Sequence, residues 1–505
     1  MLACVLVAAC TSETCSRQSS RRSGNDTVEV ASANDASLRV PDVPPDAPDA
    51  SRRHVVLIIG DGMQLEHEIA ASRYLYGTDD GMSWRHFPYQ GYCSTWDIAT
   101  YNAYAVAAGA SRYDSGDFDP RFGYDPARGG AEPYPLAAPP NLYDYLAPNR
   151  VWPATDSAAA ATAMSTGHKT DAGNIAWQAG DPDQGALTTI AQTLRDKRGF
   201  AIGVVSTVPF THATPAAFVS HNVDRNNYHA IGDEIVDEIR PDVVVGGGHP
   251  RWTRRFVSAQ AYATLKRSTN YVFVERTPAV DGGKALREGA EAAVAKKRKL
   301  FGLFGGSEGN FEYRPVADDP GAPAVGIGNQ ENPKLAQVTE AALRVLSTDP
   351  DGFFLMIEQG DIDWANHANN YANMIGCMAD LEEAVRAVVA FVERPGDVID
   401  WSNTLVLVTS DHANSYMRLD PAVKLGAGDL PACQGVTGAV SCKSDDGRVA
   451  VTYGSSGHTN ELVTLSAMGV GADTIAETYA GRWYPGTKIV DNTAIYSIMM
   501  RAAGM

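Results

Sequence analysis

Asp61, His212, Thr214, Glu358, Asp363, His367, Asp411 and His412 share one address in the sequence: each stands at or shortly past the end of an apolar, β-rich run. Carboxylates mixed with imidazoles suit zinc, and carboxylates with a hydroxyl suit magnesium. Asp363 and His367 are four positions apart, so on a helical turn they face the same way and can share one ion. His458 lies in Gly457-His458-Thr459, just before a further strand. Taken singly, each of these residues reads equally well as a cap or a solvated loop residue. Their common address argues against coincidence.

Ser157 has a different address. It opens Ser157-Ala158-Ala159-Ala160-Ala161-Thr162-Ala163-Met164-Ser165-Thr166, a strong helix former closed by Gly167. A helix start offers free N–H groups and the positive end of the dipole, which favour an anion. Serine before alanine is ordinarily a cap. Beside two metal ions the same serine becomes a nucleophile for an anionic group, working through a covalent intermediate.

The elements that must position these residues follow from local pattern. Apolar runs predict strands over 54–59, 201–206, 242–245, 353–357, 404–409 and near 461–465. In open α/β sheets, ligands collect at the carboxyl ends of strands. A helical pattern follows Asp61 to about residue 76. Another runs beyond His367 to about 394, with Ile375, Met378, Leu381, Val385, Val388 and Val392 at three- and four-residue steps. Gly246-Gly247-Gly248 is weak evidence for a phosphate loop, because no Lys-Ser/Thr follows it. Residues 252–348 mix helical and irregular patterns, and Lys296-Lys297-Arg298-Lys299 reads as a solvated face. Residues 98–150 and 414–457 read as insertions at the rim, the second loop-rich.

The chain has 505 residues, 44% of them hydrophobic, enough for a large α/β core. A formal net charge of −18 argues against general nucleic-acid binding. No run of 18 apolar residues predicts a membrane span. Val7-Ala8-Ala9-Cys10 resembles a bacterial lipoprotein cleavage box, although the usual basic n-region is missing. The expectation is a leader over 1–10 with Cys10 lipidated, a disordered tether over 11–51, and a catalytic domain over 52–505. Export places the protein in a bacterial periplasm or on an outer membrane. Of the seven cysteines, Cys433 and Cys442 bracket a short glycine-containing loop and are either a local disulfide or two thiols. Cys377 reads as buried and inert. The histidines at 54, 67, 86, 168, 221, 229 and 249 read as core or surface positions.

Asp61-Gly62-Met63, Asp156-Ser157-Ala158-Ala159, Thr166-Gly167-His168-Lys169-Thr170, His212-Ala213-Thr214-Pro215-Ala216, Glu358 with Asp363 and His367, Asp411-His412 and Gly457-His458-Thr459 occur in this order. Together they resemble the alkaline phosphatase family over about residues 52–500. The resemblance implies a three-layer α/β/α sandwich around a large, mostly parallel sheet. It implies hydrolysis of phosphate monoesters, with inorganic phosphate as product, at a site of two zinc ions and one magnesium ion. Ser157 is then the phosphorylated nucleophile, and Arg225 clamps the phosphate while Asp156 orients it. Asp363, His367 and His458 are ligands of one zinc. Asp61, Asp411 and His412 are ligands of the other, joined by Ser157. Asp61, Thr214 and Glu358 hold magnesium. Many relatives are homodimers.

Two positions depart from the commonest pattern. His212 stands where a bacterial form has Asp, and Trp364 where relatives often have Lys or His. The first bears on which ion is retained, the second on how firmly phosphate is held. The same fold also carries phosphodiesterases and sulfatases. Ser157-Ala158-Ala159 lacks the C/S-x-P-x-R context of a sulfatase, and related diesterases commonly use threonine as nucleophile. A non-catalytic metal-binding surface protein is the remaining alternative.

Overall fold

β1 (Arg53–Gly60) shows why the chain builds layers. Its apolar residues alternate between two cores: Val55, Leu57 and Ile59 enter one, Val56 and Ile58 the other. A strand buried on both faces needs helices on both sides. The computed structural model describes residues 52–107, 109–115, 154–477 and 489–505. The leader, Cys10, the tether and most of the 98–150 insertion lie outside the described residues.

Among the described residues the main sheet is assembled from ten strands. After β1 come β2 (Tyr89–Ser94), β3 (Ala201–Pro209), β4 (Val243–Gly247), β5 (Tyr271–Glu275) and β6 (Lys299–Leu303). A small pair, β7 (Val316–Ala317) and β8 (Ala324–Val325), lies outside it. β9 (Gly352–Gln359) and β10 (Thr404–Thr409) follow, then the rim strands β11 (Ala413–Asn414) and β12 (Met417–Leu419). The rim continues with β13 (Ala432–Val436), β14 (Ala439–Lys443), β15 (Val449–Tyr453) and β16 (His458–Thr459). β17 (Val463–Gly469) and β18 (Ile489–Asp491) return to the main sheet. Its order is β18-β2-β17-β10-β1-β9-β3-β4-β6-β5. Only β17 pairs antiparallel with its neighbours. The helices Leu65–Tyr76, Leu335–Leu346 and Tyr371–Val392 pack into one core, and Ser157–Thr166, Ala213–Val219 and Thr493–Ala502 into the other. The expected three-layer α/β/α sandwich is what forms.

Register fixes the site. β1 lies between β9 and β10, and Ile59 pairs with Glu358 on one side and Thr409 on the other. Ser206 of β3 pairs with Glu358 from beyond. Asp61, Glu358 and Asp411 therefore emerge at one edge of three adjacent parallel strands.

Three readings of local pattern differ from the structure. The 414–457 region is not mainly loop: β12, β15, β14 and β13 form a four-stranded antiparallel sheet. Its strands are short and glycine-interrupted, so their period-two signal is weak. Residues 252–348 contribute β5 and β6 to the main sheet. β6 begins inside the basic run, at Lys299, which hides its onset. The helical pattern beyond His367 is two helices, Asp361–His367 and Tyr371–Val392. Asn369 has φ 49°, and the Asn370 side chain caps the second helix by accepting from Asn373 N–H. Cys433 and Cys442 face each other across β13–β14 and are joined by a disulfide. Among the described residues no helix is long and apolar enough to cross a membrane.

Candidate active site

Ser157 is the first residue of its helix, but it is not the cap. Asp156 is extended (φ −98°, ψ 167°) and its Oδ1 accepts from Ala159 N–H at 3.0 Å. With capping assigned to Asp156, the buried Ser157 Oγ lies 3.2 Å from His412 Nε2. Asp156 also accepts from Gly173 N–H and, through Oδ2, from Arg225 Nη1 at 2.8 Å. Burial pushes its carboxyl up, but Arg225 and the N–H donors outweigh that and hold it below the usual range. Arg225 is thereby held by the residue that also fixes the start of the Ser157 helix.

The expected ligands converge in two groups. In one, Asp363, His367 and His458 place ligand atoms within 4.8 Å of one another. His367 Nε2 is 3.3 Å from Asp363 Oδ2, His458 Nε2 is 3.4 Å from Asp363 Oδ1, and the two imidazole nitrogens are 3.1 Å apart. In the other, His412 Nε2 lies 3.4 Å from both Asp61 Oδ1 and Asp411 Oδ2. Donor atoms about 2.0 Å from a tetrahedral ion are about 3.3 Å from each other, so both groups match the edges of a zinc coordination polyhedron. Asp363 sits between the groups: it joins Asp61 and His412 in a second convergent set as well as the first.

The donors are prepared for cations. Asp61 Oδ1, Glu358 Oε1 and Asp411 Oδ2 are buried and accept no hydrogen bond from the protein. Burial raises Asp61 well above the usual carboxylate range, and Asp411, Asp363 and Glu358 add to the rise. Burial likewise lifts Glu358 to about 7 and Asp411 to about 6. Carboxylates crowded this way ionise together only with positive charge among them, which divalent ions supply. His367 Nδ1 meets Ser456 O at 2.6 Å, and His458 Nδ1 meets Thr155 O at 2.8 Å. A backbone carbonyl at Nδ1 fixes the tautomer that leaves Nε2 as the lone-pair donor. Asp61 turns its other oxygen, Oδ2, toward Thr214 Oγ1 at 3.5 Å. Glu358 Oε2 accepts from Ser206 Oγ. Asp61, Thr214 and Glu358 thus form an oxygen-rich third position of the kind magnesium takes.

His212 and Trp364 lie beside this centre as a ring pair, centroids 5.8 Å apart in an edge arrangement. Burial lowers His212 to about 3, and Arg225 adds to that effect.

Several contributors were not legible in the sequence. Asn414 Nδ2 donates to Asp363 Oδ1 at 2.6 Å, and Asn414 pairs with His458 across β11–β16. Asn369 Oδ1 accepts from Gly438 N–H at 2.5 Å, and its Nδ2 donates to Asn366 O and Ser455 O. Gly62 has φ 68°, and a Cβ there would stand 2.8 Å from Asp363 Oδ1, so only glycine keeps that carboxylate in place. Asn414 had a faint signal, two residues after His412 on the same short strand-end run. Asn369 had none, because its role depends on a strand pairing far away in sequence.

Clustered donors, a helix-start serine and a mostly parallel sheet together define a candidate metal site at the strand ends of an α/β/α sandwich. The alkaline phosphatase family model matches residues 131–428. The chain is 32% identical over 385 residues to alkaline phosphatase of Escherichia coli (strain K12), covering 70% of this chain and 74% of that one. It is 31% identical over 421 residues to alkaline phosphatase H of Pseudomonas aeruginosa, covering 75% and 78%. In fold it is similar to alkaline phosphatase from the Antarctic bacterium TAB5, with a TM-score of 0.57 and 22% identity over 89% of this chain and 97% of that one. This chain belongs to the alkaline phosphatase family.

Proposed function

We propose that the chain hydrolyses phosphate monoesters at two zinc ions and one magnesium ion, with Ser157 as nucleophile. The observation that carries this reading is the placement of Ser157 Oγ 3.2 Å from His412 Nε2 with its capping duty taken by Asp156. Asp363, His367 and His458 would hold one zinc, Asp61, Asp411 and His412 the other, and Asp61, Thr214 and Glu358 the magnesium. Bound there, the ions lower the pKa of a hydroxyl and offset charge developing on the reacting oxygens.

The chain's own residues do the rest. Arg225, fixed by Asp156, grips two non-bridging oxygens of the phosphoryl group; a planar guanidinium suits that geometry better than an ammonium. The helix start at Ser157 adds N–H donors and a favourable dipole. Ser157 gives its hydroxyl proton to water as Oγ bonds to phosphorus and the bond from phosphorus to the ester oxygen breaks, and the departing alkoxide takes a proton back from water. Water then attacks the phosphoserine, restoring Ser157 and releasing inorganic phosphate. The curated relatives include a streptomycin-6-phosphate phosphatase of Streptomyces griseus, so the family frame accommodates large alcohols.

Export, Cys10 as a lipid anchor, and a homodimer belong to the same reading. The Cys433–Cys442 disulfide supports an oxidising compartment.

The test is turnover of an aryl phosphate, an aryl phosphodiester and an aryl sulfate by zinc- and magnesium-loaded protein, with Ser157→Ala alongside. Monoester turnover is expected to dominate, to vanish with chelator, and to fall at least about a thousandfold in Ser157→Ala. Full metal occupancy without monoester turnover overturns the reading and leaves the diester, or a binding role, in its place.

A further inference from the structure

The wall of the site continues away from the metal groups. Trp364 meets His212, and His212 lies nearly parallel to Tyr228, with centroids 6.4 Å apart and planes 9° from parallel. Tyr228 opens a helix three residues after Arg225 and is buried. Over its ring stands Arg255, whose guanidinium carbon is 5.3 Å from the Tyr228 centroid and equally far from that of Phe256. Arg255 Nη2 also donates to Tyr228 Oη at 3.4 Å. Asn226, Tyr228, His229 and Arg255 line an open cleft at the start of the helix that follows Arg225 in the chain.

Three observations give this cleft a ligand class. Arg255 forms no ion pair among the described residues, whereas Arg225 is committed to Asp156. Arg255 is held in place by the Tyr228 and Phe256 rings and by the Tyr228 hydroxyl, so less rotamer freedom is lost when it binds. Arg251-Trp252-Thr253-Arg254-Arg255 concentrates three exposed arginines on one loop after β4, reinforcing a local positive potential.

We propose that Arg255, backed by the Tyr228 ring, is a second anion-binding point beside Arg225, and that the preferred substrates are phosphate monoesters whose alcohol carries a further negative charge. The charge is a carboxylate or a second phosphate; both accept the planar donor fork of arginine. The proposal rests on the phosphatase reading above: Arg225 holds the phosphoryl group that reacts, and Arg255 holds the anion on the part that leaves.

The experiment compares kcat/KM for matched pairs: 4-carboxyphenyl phosphate against phenyl phosphate, and propane-1,3-diyl bisphosphate against propyl phosphate. The anionic-to-neutral ratio is expected to fall about tenfold in Arg255→Ala, an effect of the size a charge-assisted hydrogen bond gives. It recovers in part in Arg255→Lys and stays within about twofold in Arg254→Ala, whose side chain is one position off the ring wall. In the wild type the ratio drops with ionic strength. The two pairs separate the carboxylate from the phosphate arm: a fall in one alone assigns that anion. A ratio unchanged in Arg255→Ala for both pairs overturns the subsite while leaving the phosphatase reading intact. Wild-type protein that turns over none of the four esters overturns both.

Discussion

The two candidate metal groups of this site are built in different ways. Asp61, Asp411 and His412 stand directly on the ends of β1 and β10, fully buried, and inherit their positions from the register of the central sheet. Asp363, His367 and His458 come from a seven-residue helix and a two-residue strand at the rim, and the His367 side chain is 41% exposed. The buried group is held by the core. The rim group is held by side-chain amides: Asn414 on Asp363, and Asn369 between the histidine turn, the 455–456 loop and the β13–β14 hairpin. A core-held site is costly to leave without ions, because its carboxylates are crowded out of water. A rim-held site is cheaper to leave empty and easier to perturb.

The sharpest way to break this contrast is Asp61→Asn. Activity is expected to fall by about a thousandfold or more, because both the zinc-type and the magnesium-type positions lose a donor. Metal-free protein should melt about 2 °C higher, since one member of the carboxylate crowd is gone. A turnover assay reads the first and calorimetry without zinc the second, and a lower melting point for the metal-free variant would sink the idea of stored repulsion. His367→Ala should cost about a hundredfold in kcat/KM with the loss of one zinc per chain by elemental analysis. Metal-free melting should stay within about 1 °C, as for other half-exposed positions. Asn369→Ala touches no ligand directly. It should still weaken the more labile zinc about tenfold in chelator competition, an effect typical of groups that orient a ligand. Unchanged zinc affinity would show that the amide supports only the loop. The smallest effect belongs to the disulfide: with Cys433 and Cys442 both changed to Ser, release of that same zinc should quicken two- to threefold, about as far as a short loop constraint transmits. A change in the core-held ion instead would erase the distinction between the groups.

The same division governs what was legible in the sequence. Strand-end residues such as Asp61, Glu358 and Asp411 announce themselves, because a buried parallel strand is an unbroken apolar run and its end is easy to locate. The helix at Ser157 is similarly plain, although which of Asp156 and Ser157 is the cap depended on backbone angles. The rim was harder. β11 and β16 have two residues each, too few for any periodicity, yet they bring Asn414 beside His458. β5 and β6 escaped because charged residues at the sheet's far edge dilute the pattern. The tie through Asn369 joins positions 69 residues apart and leaves no local trace.

The turn between β13 and β14 has one further implication. A hairpin tip rich in small residues is where a tag, an epitope or a cleavage site is usually grafted without harm. Here Gly438 gives its N–H to Asn369, which bonds in turn to Asn366 O and Ser455 O, so the tip acts as a bearing for the segments that carry His367 and His458. Any graft at 436–439 would shift that bearing, and a fusion meant to be silent would report on zinc occupancy instead.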